Sequence, residues 1–302
     1  MITNIRNFVA MRIVLVAAGL ALLAGCGDAD SGGAGGRPSV VVTTNIVGNV
    51  VRNLVGDDAA VEVLMPPSAD PHDFAPSAQQ AAAMREADVL VVNGLGFEEG
   101  LLDAIGSATD DGVAVVTATD AIEPLDDDPH LFTDPARMRD AAELIAEELV
   151  EQIPELDTDA FRTRAGAYLA DLEALDAEVE ELLADLPTER RLLVTNHDVF
   201  GYFADRYGFE VLGVVVPGGS TLAEPSAADL ADLLTTIDEQ EVPAIFADTS
   251  SPARLADALA AEGTDVAVVE LFSESLGEEG SGADTYVGMV RTNAERIAAA
   301  LG

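Results

Sequence analysis

The chain has 302 residues, and 55 acidic against 15 basic residues give it a formal net charge of −40. A surface this acidic is a poor partner for nucleic acid and for anionic membranes, so no nucleic-acid partner is expected. Apolar residues make up 49% of the chain, which suffices for an ordinary globular core. The single cysteine excludes an internal disulfide and a zinc–thiolate cluster.

Residues 1–25 are predicted to be a signal peptide. Two arginines precede an apolar run at residues 13–23, which is too short to span a bilayer as a stable helix. The run ends in Leu-Ala-Gly-Cys, which resembles a bacterial lipobox and implies cleavage before Cys26 and a lipid on its sulfur. A short membrane anchor with a buried cysteine is the alternative. Residues 26–38, rich in Gly, Asp and Ser, are predicted to be a flexible tether.

From residue 39 onward, short β-branched runs alternate with amphipathic stretches. Near-continuous apolar runs suit parallel strands that are covered on both faces. Strands are predicted at residues 40–44, 61–65, 88–93 and 113–117, and again at 191–195, 210–216, 244–247 and 266–271. This alternation predicts an α/β fold.

Several helix starts are readable between the strands. Ser77 is placed to cap a helix at 78–87, and Asp134-Pro135 puts a cap and a first-turn proline before a helix at 136–152. Pro225 and Pro252 are predicted to open helices that run to about residues 240 and 262.

A stretch at 158–186 predicts one long helix. Its apolar residues recur at steps of three and four, which puts them on one face. They are Phe161, Tyr168, Leu172, Leu175, Val179 and Leu182. A helix of about 40 Å exceeds what one small domain needs. We interpret it as a rigid connection between an N-terminal lobe at 39–157 and a C-terminal lobe at 187–302; an ordinary long helix within one domain is the alternative.

The three histidines of the chain sit where strand-like runs give way to polar loops. His72 and His130 each end an Asp-Pro-His tripeptide, and His197 directly follows a predicted strand. Ligands of parallel sheets bind beyond the carboxyl ends of the strands, and imidazole is a common ligand of zinc-like metals. A shared metal site is therefore predicted, against the alternative of three solvated loop histidines.

Six segments, in this order, carry a family resemblance. They are residues 42–46, 66–77, 128–135, 196–203, 224–226 and 283–286. The chain resembles the zinc/manganese substrate-binding lipoproteins of ABC importers, some of which were first described as adhesins. The resemblance implies two lobes, each a mainly parallel β-sheet flanked by helices, joined by one long rigid helix, with a metal site in the cleft. It also implies a monomer, anchored by lipid to the outer face of the cell membrane or periplasmic, that delivers metal to a permease.

The resemblance also implies the ligands. Three of them carry over onto His72, His130 and His197, and the fourth falls on Glu274. The family more often has aspartate at the fourth position, so water or Asp248 is an alternative there. Many zinc members carry a His-rich loop ahead of the second histidine, whereas residues 123–128 contain no histidine.

Three imidazoles and one carboxylate suit tetrahedral zinc, whereas manganese prefers more oxygen ligands. His197 stands where manganese members often have glutamate, so zinc is favoured and manganese is the alternative. Unperturbed imidazoles predict that metal affinity falls between about pH 7 and pH 5.

The nearby aspartates have two open roles. Asp70, Asp128 and Asp198 are candidates to orient an imidazole through its second nitrogen, and Asp248 is a further candidate to support the site. Capping or a solvated loop charge is the alternative role.

Two other functions are compatible with parts of the sequence. Three histidines and an exchangeable water also describe a catalytic zinc site, but the chain has no His-Glu-x-x-His motif and no fourth histidine to act as a general acid or base. An enzyme is therefore not expected. An adhesive or structural lipoprotein is the remaining alternative, and chelator competition separates it from an importer component.

Overall fold

The computed structural model describes residues 36–218, 220–250 and 266–302. The predicted signal peptide, Cys26, most of the predicted tether and the helix predicted after Pro252 lie outside the described residues. No helix in the described part of the chain is long and apolar enough to cross a membrane.

The first lobe is built on a four-stranded parallel sheet. Its strands are β1 (Ser39–Val42), β2 (Ala60–Val63), β3 (Val89–Val92) and β4 (Ala114–Thr117). They are ordered β2-β1-β3-β4, and all neighbours run parallel. Helices flank both faces, and for this reason the valines of β1 and β3 are buried throughout.

Four α-helices belong to this lobe: α1 (Asn45–Val55), α2 (Ala78–Glu86), α3 (Leu102–Asp110) and α4 (Pro135–Gln152). Ser77 forms a capping box with Gln80 at the start of α2, as the sequence predicts. Asp134 caps α4 by accepting from the backbone of Ala136, with Pro135 at the first helical position.

The predicted long helix is α5 (Asp159–Leu183), which spans 25 residues, roughly 38 Å at 1.5 Å per residue. Thr158 caps its start by accepting from the backbone of Phe161. Seven residues on one face are buried: Phe161, Ala165, Tyr168, Leu172, Leu175, Val179 and Leu183. This face packs against helices α1 and α4 and against the last helix of the chain.

A second four-stranded parallel sheet forms the other lobe. Its strands are β5 (Leu192–Thr195), β6 (Glu210–Val214), β7 (Ala244–Asp248) and β8 (Ala267–Leu271), in the order β6-β5-β7-β8. The described helices are α6 (Gly201–Tyr207), α7 (Ala227–Glu239) and α8 (Tyr286–Leu301). The C-terminal helix α8 returns to pack against α5 and α1.

The fold class predicted from the sequence is confirmed: two parallel sheets flanked by helices form two lobes joined by one long helix. The main hydrophobic core is continuous, because buried residues of both sheets and of α5 belong to one cluster. The lobe boundaries at residues 157 and 187 stay a prediction. Helix α1 was not predicted, since valine, which dominates its buried face, favours strands.

Candidate metal centre

Four side chains converge at the carboxyl ends of the two sheets. One ligand atom of each of His72, His130, His197 and Glu274 lies within 4.8 Å of those of the other three. All four residues are buried, with exposed fractions of 0 to 3%. These are the four residues to which the family resemblance assigns the ligand positions.

Each lobe contributes two of these residues, all in segments that follow strands. His72 lies in the loop after β2, and His130 lies in the longer connection after β4. His197 comes two residues after the end of β5, and Glu274 comes three residues after the end of β8. Parallel strands direct their carboxyl ends to one edge of a sheet, so the two edges that face each other form the site.

The carboxylate of Glu274 stands at the centre of the cluster. Its Oε1 lies 2.8 Å from His197 Nε2 and 3.3 Å from His130 Nε2. Its Oε2 lies 3.4 Å from His72 Nε2. The arrangement presents three imidazoles around one carboxylate, with both carboxylate oxygens directed at nitrogen atoms.

Several polar atoms in this cluster lack a hydrogen bond within the described residues. They are Nε2 of His72, Nε2 of His130, Nδ1 of His197 and Oε2 of Glu274. Buried polar atoms are nearly always paired in proteins, and leaving one unpaired costs free energy. Nε2 of His72, Nε2 of His130 and Oε2 of Glu274 lie in the centre of the cluster. These atoms are therefore suited to bind a cation placed between them.

Two carboxylates hold the second nitrogen of an imidazole. Asp128 Oδ1 lies 2.6 Å from His130 Nδ1 and also accepts from the backbone nitrogen of His130 at 2.9 Å. Glu99 Oε1 lies 3.1 Å from His72 Nδ1. An imidazole that donates through Nδ1 presents Nε2 as the ligand atom, so both rings are oriented toward the centre.

The other aspartates named from the sequence take different positions. Asp70 accepts from the backbone nitrogen of His72 at 2.9 Å, but its second oxygen accepts from Thr221 at 2.6 Å and does not contact the ring. Asp198 is exposed, and its backbone nitrogen donates to Gly218. Asp248 is buried outside the group of four and accepts from the hydroxyl of Ser273 at 2.9 Å.

The role expected of Asp70 is therefore filled by Glu99, a residue that sequence reasoning missed. Glu99 is the first residue of a short 3-10 helix (Glu99–Leu101). The loop between β3 and this helix contains Gly94 and Gly96, which have positive φ angles of 101° and 79°. Glu98 fastens this loop: its buried carboxylate accepts from the hydroxyl of Thr43 and from the backbone of Asn93, both at 2.6 Å. The two glycines after a predicted strand were the only available sequence signal.

Aromatic rings close the first-lobe side of the site. The ring of Phe97 packs edge-on against His72 and His130, with centroids 5.4 and 5.6 Å apart. Phe132 lies 5.3 Å from Phe97 and 5.8 Å from His130. This apolar wall excludes water and strengthens electrostatic interactions inside the cluster.

The buried cluster changes the proton affinities of its members. Burial alone would lower the pKa of His130. The negative charge of Glu274 and the hydrogen bond to Asp128 outweigh this effect and raise the pKa of His130 to about 10. Burial opposes the charge on His72 too, and Glu274 again raises the pKa. Burial favours the neutral form of Glu274, yet the neighbouring His130 and His197 hold its pKa well below the ordinary value. The Glu274 carboxylate therefore draws protons onto His72 and His130.

If the cluster holds a metal, Glu99→Ala is expected to weaken the binding of an added ion such as zinc by about 10- to 100-fold, the usual cost of removing the partner of a metal-binding histidine. Glu99→Gln should cost less, because the amide oxygen still accepts from His72 Nδ1. Competition with a chromogenic chelator measures both affinities. Asp198→Asn is the matched control, since it removes one carboxylate charge next to a histidine without a ring contact. Equal affinities for Glu99→Ala and Asp198→Asn would contradict the orienting role.

Comparisons with known proteins agree with this geometry. Residues 40–300 match the family model of the zinc-uptake complex component A, periplasmic (ZnuA). The zinc-binding protein TroA of Treponema pallidum is 35% identical over 89% of this chain and 90% of its own, and the manganese-binding lipoprotein MntA of Halalkalibacterium halodurans is 30% identical over 98% and 97%. The solved structure of periplasmic zinc-binding TroA from T. pallidum aligns with a TM-score of 0.81 at 36% identity, over 88% of this chain and all of that one. The chain thus belongs to the ZnuA family of metal-binding substrate-binding proteins.

Proposed function

We propose that this protein captures one zinc ion outside the cytoplasm and delivers it to the permease of an ABC importer. The observation that carries this proposal is the convergence of four buried donor side chains, two from each lobe, on one point. Membership of the ZnuA family supports the transport role. The metal is cargo in this role, and each chain holds a complete donor set, so we infer that the protein works as a monomer.

Zinc is favoured as the cargo by the donor set. Three imidazole nitrogens and one carboxylate match its tetrahedral preference, with bonds of about 2.0–2.2 Å. Zinc also binds nitrogen-rich sites more tightly than manganese. The name of one relative, the zinc-binding protein TroA, also supports zinc as the cargo.

Manganese is the second candidate, and one feature of the site favours it. Both oxygens of Glu274 face imidazole nitrogens, so a bidentate carboxylate would add an oxygen ligand. Manganese prefers oxygen-rich and higher coordination. A relative that covers nearly the whole chain is named a manganese-binding lipoprotein.

We infer that the protein is not an enzyme. Hydrolysis at zinc needs an exchangeable water and a group that moves its proton. Each histidine of the chain is already in the cluster, Asp128 and Glu99 are bonded to two of the rings, and the buried carboxylate of Asp248 accepts from Ser250 and Ser273. Substrate-binding proteins of this family bind a solute, which is consistent with this reading.

We further propose that the mature protein is held at the outer face of the membrane by a lipid on Cys26. The apolar run before Leu-Ala-Gly-Cys and the Gly-rich stretch after it support this reading. The name lipoprotein in one relative also supports it. A tether of this kind keeps the metal site near the permease.

The four-residue cluster predicts how many metal ions each chain binds and which metal it binds more tightly. The metal-free protein should bind one zinc per chain, and more tightly than manganese, because imidazole dominates the donor set. Replacing His72, His130 or His197 with alanine should each weaken zinc binding by more than ~100-fold, beyond the cost of losing only an orienting partner. Titration calorimetry with chelator competition measures this. Two equivalent tight zinc sites per chain would contradict the proposed metal centre. Tighter binding of manganese than of zinc would identify manganese as the transported metal.

The pH dependence should extend above neutral pH. A proton on a ligand nitrogen competes with the metal, so a raised pKa moves that competition to higher pH. With the pKa of His130 at about 10, the metal-free site should still release about one proton on binding zinc at pH 8, and more as the pH falls. This differs from the fall between pH 7 and 5 that unperturbed imidazoles predict. Calorimetry in two buffers of different ionisation enthalpy counts the protons; none released at pH 8 would contradict the coupling.

For the anchor, Cys26→Ser should move the protein from the membrane to the soluble fraction of its host. The thioether-linked lipid is the anchor proposed here, and serine does not accept it. Fractionation with an alkaline wash and immunoblotting measures the change. If the variant stays in washed membranes, an uncleaved N-terminal segment holds the protein instead.

A further inference from the structure

The segment that carries Glu274 belongs to the second lobe but is bound to the first by an asparagine outside the donor cluster. The amide of Asn45 donates to Ser275 Oγ at 2.7 Å and to the carbonyl of Pro66 at 2.8 Å. Its oxygen accepts from the backbone nitrogen of Leu276 at 2.8 Å. One side chain therefore joins the loop that carries His72 to the residues directly after Glu274.

A backbone contact reinforces this junction. The nitrogen of Ser68 donates to the carbonyl of Leu276 at 3.1 Å. Ser68 has a φ of 60°, in the left-handed region that residues other than glycine rarely adopt. The first-lobe loop is thus bent into an uncommon conformation at the point where it meets the Glu274 segment.

A second hydrogen-bonded contact between the lobes connects the segments that carry His130 and His197. The hydroxyl of Tyr202, near the start of α6, donates to the carbonyl of Asp128 at 2.7 Å and accepts from the backbone of Leu125 at 3.2 Å. This ties the loop of His130 to the helix that follows His197. The donors are therefore joined across the lobes in two pairs, His72 with Glu274 and His130 with His197.

We propose that Asn45 is a positioning residue for metal capture, which holds Glu274 at the distance from His72 that the cation requires. A primary amide suits this task because it donates and accepts at once, and both of its hydrogens are used here. Aspartate would keep the acceptor for Leu276 but lose both donors and add a charge. Asn45 is the first residue of α1, so its backbone is fixed by the helix and by the Thr44 cap. A donor set held in place by such contacts does not have to be ordered when metal arrives.

The inference rests on the proposed function and has its own test. We expect zinc to leave Asn45→Ala about 10- to 100-fold faster than it leaves the wild-type protein, because residues that orient metal ligands usually contribute this much to affinity and a displaced ligand speeds release. Stopped-flow transfer to excess chelator measures the rate. Asn53→Ala is the matched control, because Asn53 is exposed on the same helix and its side chain, within the part of the chain that the structure describes, bonds only to Asn49 one turn earlier. Ser275→Ala, which removes one of the three hydrogen bonds, should show a smaller effect in the same direction.

The absorption spectrum of the cobalt-loaded protein separates positioning from stability. Cobalt absorbs visible light more strongly in tetrahedral than in octahedral sites, so a misplaced Glu274 should change its bands in Asn45→Ala but not in Asn53→Ala. An unchanged spectrum and rate in Asn45→Ala would overturn the inference, whatever its melting temperature. If Asn45→Ala does not fold, Ser275→Ala decides by the same measurements. A wild-type protein that binds no zinc would overturn the proposed function as well.

Discussion

The structure depends on one costly feature, the burial of the carboxylate of Glu274 with only 2% of the residue exposed. An anion removed from water is tolerated only beside positive charge and hydrogen-bond donors. Three imidazole nitrogens lie within 3.4 Å of its oxygens. Burial opposes a charge on these rings, but the Glu274 carboxylate raises the pKa of His72 and of His130, so these two rings supply positive charge. A metal ion bound among these groups would therefore displace protons from the imidazoles of His72 and His130. Glu99 and Asp128, each beside the other nitrogen of an imidazole, stabilise the positive charge from outside.

Much of this arrangement is predictable from the sequence because it depends on local patterns. Valine-rich runs separated by amphipathic stretches predict parallel sheets, and the ends of such strands are where ligands bind. The histidines of the chain occupy those ends, so their convergence was expected. The fourth donor, Glu274, came from the family resemblance, since a single glutamate among 55 acidic residues has no distinguishing local pattern.

The partners of the imidazoles were harder to predict, for a physical reason. The two Asp-Pro-His tripeptides are identical in sequence, and each aspartate accepts from its own histidine's backbone. Only Asp128 also reaches its ring, because the second oxygen of Asp70 is bonded to Thr221 from the other lobe. Which aspartate contacts its histidine ring therefore depends on a tertiary contact between residues 151 positions apart. The same holds for Asn45 and Leu276, whose contact spans 231 positions.

The continuous hydrophobic core has a consequence for how the protein is recognised. Val42 of the first sheet, Phe246 of the second and Leu172 of the long helix belong to one buried cluster. Moving the sheets apart as rigid bodies would open close-packed apolar contacts, which is costly, whereas rearranging the loops at the strand ends is not. The loaded and empty forms would therefore have nearly the same outline. The proposed permease would then have to distinguish the two forms by the surface around the mouth of the cleft, because the shape of the whole molecule differs little between them.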